Sequence, residues 1–567
     1  MSTITLATYI FTRLKQVGVD TIFGVPGDFN LSFLDYIDEV DGLRWAGNAN
    51  ELNSAYSADG YSRIKGFAAL CTTFGVGELS ATNGIAGAYA EHVGLIHIVG
   101  APTVSAEENK LLLHHTLANG KFDIFKNMSK HITAKAVTLD DIATAPGIID
   151  DLIRTGYIYK RPVYLAVPSN FSEAQVPASL LNKRIDLALP ANDKESEKEF
   201  VDEVVEKIIN AKNPCILVDA CASRHNVKAS IEALVKATKF PVYVTPMGKS
   251  SFNEDNERFS GVYVGALSKL DVRESLENSD LILSIGGLLS DYNTGAFTYH
   301  YHTTNVIEFH SDFCKVKAAV YQGIQMQAAL GKILQGLKQA HLNYVPTPIP
   351  ASVKEYKAVQ KVTSGPLTQQ FLWSKLSYFL RSGDIVVAET GTSSFGILQA
   401  HYPEGVTAIS QVLWGSIGYA LPAAVGAAFA ADDIRDEQRV ILFIGDGSLQ
   451  LTVQAISDAC RQHLHPYLFV LNNNGYTIEK MIHGLHAEYN NIQTWDHTKL
   501  LELFHDKEKF QNYRVSTVEE MNKLYADKEF NVPSKIRMIE LMLDEFDAPK
   551  NLIEQAKLSE RINSGKN

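Results

Sequence analysis

Cysteine is scarce in this chain: five residues in 567, Cys71, Cys215, Cys221, Cys314 and Cys460, with no Cys-x-x-Cys pair among them. An odd number without paired spacing argues against a disulfide framework or a zinc site, and a reducing, cytoplasmic setting fits best. Positive charge is short as well. With 52 basic against 64 acidic residues the net charge is −12, and the pI lies near 5.8. That balance argues against nucleic acid and against an anionic membrane surface as partners. Long apolar runs are missing: the longest weakly polar stretch, 418–431, is rich in Ala and Gly and broken by Pro422, so it reads as a buried helix and not as a membrane span. The N-terminal MSTITLATYIFTRLKQ reads as an amphipathic helix without a basic-then-apolar signal pattern. Short repeats and low-complexity segments are absent. So is a dinucleotide fingerprint, because neither Gly75-Val76-Gly77-Glu78-Leu79-Ser80 nor Gly445-Asp446-Gly447 has its third glycine in register.

What is present is alternation. Hydrophobic residues make up 46% of the chain, enough for several cores, and the length allows about three or four domains. Strand-like runs alternate with helical patterns throughout, which predicts an α/β protein with mainly parallel sheets flanked by helices. Three blocks follow. The first has strands near 21–23, 68–73, 95–100 and 162–167, and a polar linker is expected over 190–199. The second has strands at 215–219, 241–245, 281–285 and 306–309, closed by the Pro-rich passage 344–350. The third starts near Leu367. The expected domains are 1–180, 190–342 and 360–555, with a C-terminal tail over 556–567.

Gly445-Asp446-Gly447 closes the apolar run 440–444, and Asn472-Asn473-Asn474 closes the run 467–471. The stretch between them has the length of a crossover helix, so both polar clusters project from the carboxyl edge of one parallel sheet, where ligands of such sheets bind. Asp446, the Asn473 amide and the Gly475 carbonyl are hard oxygen ligands of the kind that suits Mg²⁺ with positions left for phosphate oxygens. The glycines allow close backbone approach, and the following helix N-terminus favours an anion. Gly-Asp-Gly alone is an ordinary turn, expected by chance in about one chain in ten of this size. The asparagine pair at the end of the next strand makes coincidence far rarer, and the spacing resembles the diphosphate motif of thiamine-diphosphate enzymes.

The rest of the chain narrows this resemblance. Gly24-Val25-Pro26-Gly27-Asp28-Phe29-Asn30, Asn48-Ala49-Asn50-Glu51-Leu52-Asn53, Leu113-His114-His115-Thr116, Gln411-Val412-Leu413-Trp414-Gly415-Ser416-Ile417-Gly418 and Ile478-Glu479-Lys480 together resemble the yeast-type pyruvate decarboxylases over essentially the full length. That resemblance implies three α/β domains, which are pyrimidine-binding, middle and diphosphate-binding. It also implies thiamine diphosphate with Mg²⁺, and non-oxidative decarboxylation of a 2-oxo acid, most simply pyruvate to acetaldehyde in alcoholic fermentation. By the same resemblance Glu51 relays a proton at the aminopyrimidine ring, while Asp28, His114, His115 and Glu479 serve as acid–base groups around the substrate. Cofactor contacts fall to Glu51, Thr392, Gly415, Ser416, Ile417, Gly447, Ser448, Asn473, Asn474, Gly475, Tyr476, Thr477 and Ile478, with Ile417 supporting a bent cofactor. Each site takes its first block from one subunit and its third from another, in homodimers that pair into homotetramers.

Read singly, several of these residues have plainer roles. Glu51 would cap a helix, Asp28 would follow a turn, adjacent histidines are usually structural, and Cys221 is a small buried hydrophobe. The family context also gives a substrate-activation site, with Cys221 and His92 as relay and Arg224 and Tyr157 holding a second pyruvate. Tyr292 and Ser394 stand where the family usually has phenylalanine and alanine near the substrate pocket, and their hydroxyls either polarise it or are satisfied elsewhere. A preference for longer or aromatic 2-oxo acids and a non-catalytic cofactor sensor remain the other readings.

Overall fold

A computed structural model of the chain describes residues 2–434, 438–504 and 509–563. Three large sheets organise them, each assembled from the apolar runs the sequence marks. The first has six parallel strands in the order Arg44–Trp45, Thr21–Gly24, Ala68–Thr73, Leu95–Ala101, Val163–Pro168, Lys135–Thr138. The third is also wholly parallel: Thr407–Ser410, Ile385–Ala388, Val440–Gly445, Tyr467–Asn472, Ile536–Met542, Phe510–Val515. The middle sheet has seven strands, and at one edge Phe313–Val316 pairs antiparallel with both Val306–Phe309 and Ala319–Gln322. Central strands such as Ala68–Thr73, Leu95–Ala101 and Tyr467–Asn472 are buried on both faces, as expected of parallel sheets covered by helices.

Four expectations need correction. The N-terminal helix covers only Leu6–Gln16, because Thr3–Thr5 pairs antiparallel with Gln175–Pro177 and Thr5 then caps the helix through its hydroxyl. The expected linker over 190–199 is partly helical: Asp193 caps a helix over Lys194–Asn210. The crossover after Asp446 is two short helices, Asp446–Thr452 and Ala455–Arg461. Pro422 does not break the apolar segment. It sits in the first turn of the Ala420–Ile434 helix, where no intrahelical N–H is needed. Tail positions 556–563 continue the Lys550–Asn563 helix, and 564–567 lie outside the described residues.

The first and third blocks share one hydrophobic core, in which the Glu51–Lys65 helix lies against Ala420–Ile434. Two glycines make that approach possible. A Cβ on Gly60 would stand 2.1 Å from the Ala423 carbonyl oxygen, and one on Gly426 would stand 1.8 Å from that of Ser57. Alanine at either would push the helices apart, at a cost of about 1–3 kcal/mol or more. Because the helix begins at Glu51, this packing also fixes where Glu51 stands.

Candidate active site

Two clusters of polar side chains gather beyond the carboxyl ends of the first and third sheets. In the third block, Asp446 and Asn473 are 2% and 3% exposed. Asp446 Oδ1 accepts from the Gly447 N–H at 2.9 Å, and its Oδ2 accepts from the Gly475 N–H at 3.1 Å. Burial pushes its carboxyl up to about 6, against the pull of those N–H groups. The inner end of the Asn473 amide lies 3.2 Å from Asp446 Oδ1 and 3.2 Å from the Gly475 carbonyl, and its outer end lies 2.8 Å from the Thr477 hydroxyl. With the nitrogen inward the amide bridges the two oxygens. With the oxygen inward three oxygens converge with no proton between them, an arrangement that only a cation holds together. Octahedral Mg²⁺ with bonds of 2.0–2.1 Å sets adjacent ligand oxygens about 3.0 Å apart, so the triad fits that ion.

Around the triad the chain leaves room. A side chain at Gly447 would collide with the Tyr476 ring, 2.5 Å from a Cβ, and Gly475 adopts φ 125° where one would meet the Asn490 carbonyl at 2.7 Å. Ser448 and Thr477 are buried beside them, Ile478 is half-buried, and Asn474, exposed and with φ 60°, accepts from Thr494. Glu479 lies in the first turn of the Thr477–Ile482 helix. Its Oε2 is buried without a partner, and desolvation raises its carboxyl. Thr392 opens the Thr392–Gly396 helix behind Gly391, and the half-buried Gly415, Ser416 and Ile417 form a loop over the same edge.

In the first block, the turn after Ala68–Thr73 draws the other residues together. A Cβ on Gly77 would lie 3.0 Å from Glu51 Oε1, one on Gly75 would lie 2.2 Å from the His115 carbonyl, and one on Gly27 would meet Thr73. Glu51 is half-buried, and desolvation raises its carboxyl. His114 Nε2 bonds Asp28 Oδ2, His115 Nε2 lies 3.7 Å from Asp28 Oδ1, and the His114 ring stacks on Phe29. His115 has φ 62°, a left-handed conformation unusual for a non-glycine residue. Glu479 neighbours Tyr292 and Tyr476 instead, and among the described residues no hydrogen bond or ion pair joins it to Asp28, His114 or His115.

A third cluster lies between the first and middle blocks. One ligand atom from each of His92, Cys221 and His225 falls within 4.8 Å of the others. His92 Nε2 pairs with the Arg161 guanidinium at 2.7 Å, so burial and that charge hold its ring down to about 3. Burial pushes the Cys221 thiol up to about 12, which keeps it protonated at neutral pH. Arg224 Nε donates to the Glu91 carbonyl at 3.5 Å, and Tyr157 carries the Lys160 ammonium 4.1 Å above its ring. His225 was not singled out from the sequence. Neither was Glu389, although a carboxylate directly after an apolar strand is the same signal that marks Asp446. The two unusual hydroxyls have partners: Ser394 donates to the Gly391 carbonyl at 3.0 Å, and Tyr292 is engaged by Ser559.

Three family models match in order: the thiamine pyrophosphate enzyme N-terminal TPP binding domain over 4–125, the central domain over 201–337 and the C-terminal TPP binding domain over 389–527. Pyruvate decarboxylase of Candida glabrata is 58% identical over 564 residues, spanning all of both chains. Pyruvate decarboxylase isozymes 3 and 1 of Saccharomyces cerevisiae are 58% and 57% identical over the same span. The chain belongs to the thiamine pyrophosphate enzymes and, among them, to the pyruvate decarboxylase family.

Proposed function

We propose that the protein is a thiamine-diphosphate- and Mg²⁺-dependent 2-oxo acid decarboxylase that converts pyruvate to acetaldehyde and carbon dioxide. One observation carries this reading: the convergence of Asp446 Oδ1, the Asn473 amide and the Gly475 carbonyl at a sheet edge, with the orphaned Glu479 Oε2 on the adjoining helix. Asp446, Asn473 and Gly475 would hold the metal, whose charge would neutralise the diphosphate. Gly447, Ser448 and the 474–478 segment surround that end, while Thr392 and the Gly415–Ser416–Ile417 loop support the rest. When bound, the cofactor supplies an acidic ring carbon that adds to the keto group and takes up electrons as carbon dioxide leaves.

The chain's own residues handle protons and solvent. Glu51, whose carboxyl desolvation raises, would exchange a proton with the aminopyrimidine. The Asp28–His114–His115 cluster delivers a proton to the carbon left by carbon dioxide, and Glu479 assists that departure from a dry position. The Tyr292 and Ser394 hydroxyls are occupied by Ser559 and Gly391, which supports a small pocket suited to pyruvate over longer or aromatic acids.

Among the described residues no hydrogen bond or ion pair joins the acid–base cluster to Glu479 or the oxygen triad within one chain, which supports a site shared between two copies. Large apolar side chains are exposed beside both: Val76, Leu79 and Leu112 near the first, Leu451, Leu485 and Tyr489 near the third. A two-fold dimer would cover both surfaces at once, and dimers pairing into tetramers are the assembly we propose. The five cysteines are all free and buried, in keeping with a cytoplasmic protein. No helix among the described residues is long and apolar enough to cross a membrane. A second pyruvate, held by Arg224 and Tyr157 beside His92 and Cys221, is the proposed activator.

The test is a decarboxylation assay on protein stripped of metal and cofactor. Restored release of acetaldehyde from pyruvate on adding both, with slower turnover of 2-oxobutanoate, phenylpyruvate and indolepyruvate, is expected. Full activity in the stripped protein, or a preference for an aromatic acid, would overturn the assignment.

A further inference from the structure

Glu389 closes the Ile385–Ala388 strand and is fully buried, 1% exposed. Among the described residues its carboxylate has no ion-pair partner, and burial pushes it up to about 7. Three backbone N–H groups point at it instead. Oε1 accepts from Thr390 at 2.8 Å, and Oε2 accepts from Gly418 and Ala420, both at 3.1 Å. These donors belong to two segments: the turn leading to Thr392, and the loop from Gly415 to the start of the Ala420–Ile434 helix. Ile417 sits directly between the parts of that loop that are held. Gln411 Oε1 accepts from Ser416 at 2.9 Å on one side, and the Thr452 hydroxyl donates to the Gly418 carbonyl at 2.6 Å on the other.

A buried carboxylate is costly, and three neutral N–H donors repay it only in part. The arrangement nevertheless needs a carboxylate, because only a group that accepts at both ends can take N–H donors from opposite sides. Glutamine, with one acceptor oxygen, could turn it to either side and keep the Gly418 and Ala420 bonds, whereas methionine, of similar length, offers no oxygen to any of the three N–H groups. We propose that Glu389 is a positioning residue: by clamping Gly418 and Ala420 it fixes the height of Ile417 over the third-block edge, and so the bend of the cofactor that brings its two rings together. This rests on the proposed function, in which Ile417 supports the cofactor and Glu51 drives proton loss from it.

Glu389→Met, loaded with thiamine diphosphate and Mg²⁺, is compared with wild type by hydrogen–deuterium exchange at the reactive ring carbon. A misplacement of about 1 Å at a reacting centre costs on the order of a hundredfold, and a slowing of that order is expected. Binding of Mg²⁺ with inorganic pyrophosphate, which probes the diphosphate end alone, should stay within about twofold of wild type, since Asp446, Asn473 and Gly475 are unchanged. Exchange at the wild-type rate in folded Glu389→Met would overturn the proposal, and so would an equal loss of pyrophosphate binding. Should Glu389→Met fail to fold, Thr452→Val removes the opposite anchor of Gly418 without burying a new polar group. It should slow exchange several-fold, and an unchanged rate there would equally refute the clamp. Glu51→Gln in the same experiment separates the two layers. Fast exchange in that variant would refute the proposed role of Glu51, whereas slow exchange there beside fast exchange in Glu389→Met would refute only the role of Glu389.

Discussion

Asp446 and Asn473 are 2% and 3% exposed, whereas the Asp28 and His114 side chains are 47% and 58% exposed, although both pairs stand beyond the carboxyl ends of parallel strands. The third-block cluster is finished within one chain: its backbone N–H groups, its oxygens and its glycine-made space are already in place. The first-block cluster is open to solvent. Its histidines and aspartate pair with one another at a surface bordered by exposed Val76, Leu79 and Leu112. The contrast teaches that the oxygen triad is buried and preorganised in the single chain, while the acid–base cluster is open to solvent; in the proposed dimer a second copy would supply the water exclusion that proton transfer needs.

The largest effect should come from the buried half. Asp446→Ala removes the one charged ligand of the oxygen triad, and activity should fall about 10³-fold or more, with loss of cofactor binding by titration. Tight cofactor binding in that variant would show that the triad is a turn and not a metal site. Glu51→Gln should keep the fold and the cofactor while slowing exchange at the reactive ring carbon by about 10²–10⁴-fold. Glu479→Gln and His114→Gln should leave that exchange fast and slow turnover after substrate addition, by about 10²-fold. That split of rates separates cofactor activation from the steps after substrate addition, and it divides the first-block cluster itself, Glu51 on one side and His114 on the other.

A pH effect of intermediate size follows from Asp446. Its folded carboxyl, raised to about 6, resists ionisation, so the contribution of Asp446 to the stability of the empty protein is fully present below the ordinary aspartate range and is lost as pH rises through about 6. Metal binding requires the ionised form. The apparent Mg²⁺ affinity should therefore fall by about tenfold per unit below pH 6, with proton uptake or release visible calorimetrically in buffers of different ionisation enthalpy. A flat affinity from pH 7 to 5 would contradict that placement of Asp446. The smallest effect belongs to Cys221→Ser. If the thiol carries activation, rate-versus-pyruvate curves should turn from sigmoidal to nearly hyperbolic with turnover retained; an unchanged Hill coefficient would leave Cys221 as packing only.

Much of this is legible in the sequence. The strands at 68–73 and 281–285 form with those bounds, because apolar runs buried on both faces are marked by composition as well as by period, and 306–309 does so although only Ile307 and Phe309 are fully buried. Asp446, Asn473 and Gly475 could be brought together from spacing because a strand–helix–strand unit has a fixed geometry. The misreadings fell where local chemistry competes with pattern: Pro422 starts a helix instead of breaking it, and Asp193 caps a helix inside an apparent linker. Glu389 and His225 stayed hidden for another reason. Their roles depend on backbone groups or side chains from distant segments, 389 with 418 and 420, and 225 with 92, which no local window contains.

The shared site can be tested most directly by mixing two inactive chains. Glu51→Gln leaves the third-block half intact, and Asp446→Ala leaves the first-block half intact. Co-expressed in equal amounts, random pairing in a two-fold dimer should assemble one unaltered site in each mixed dimer, restoring about a quarter of wild-type pyruvate decarboxylation although neither parent alone is active. Mixed dimers verified by mass that show no activity above the parents would contradict the account, because both halves would then have to come from the same chain.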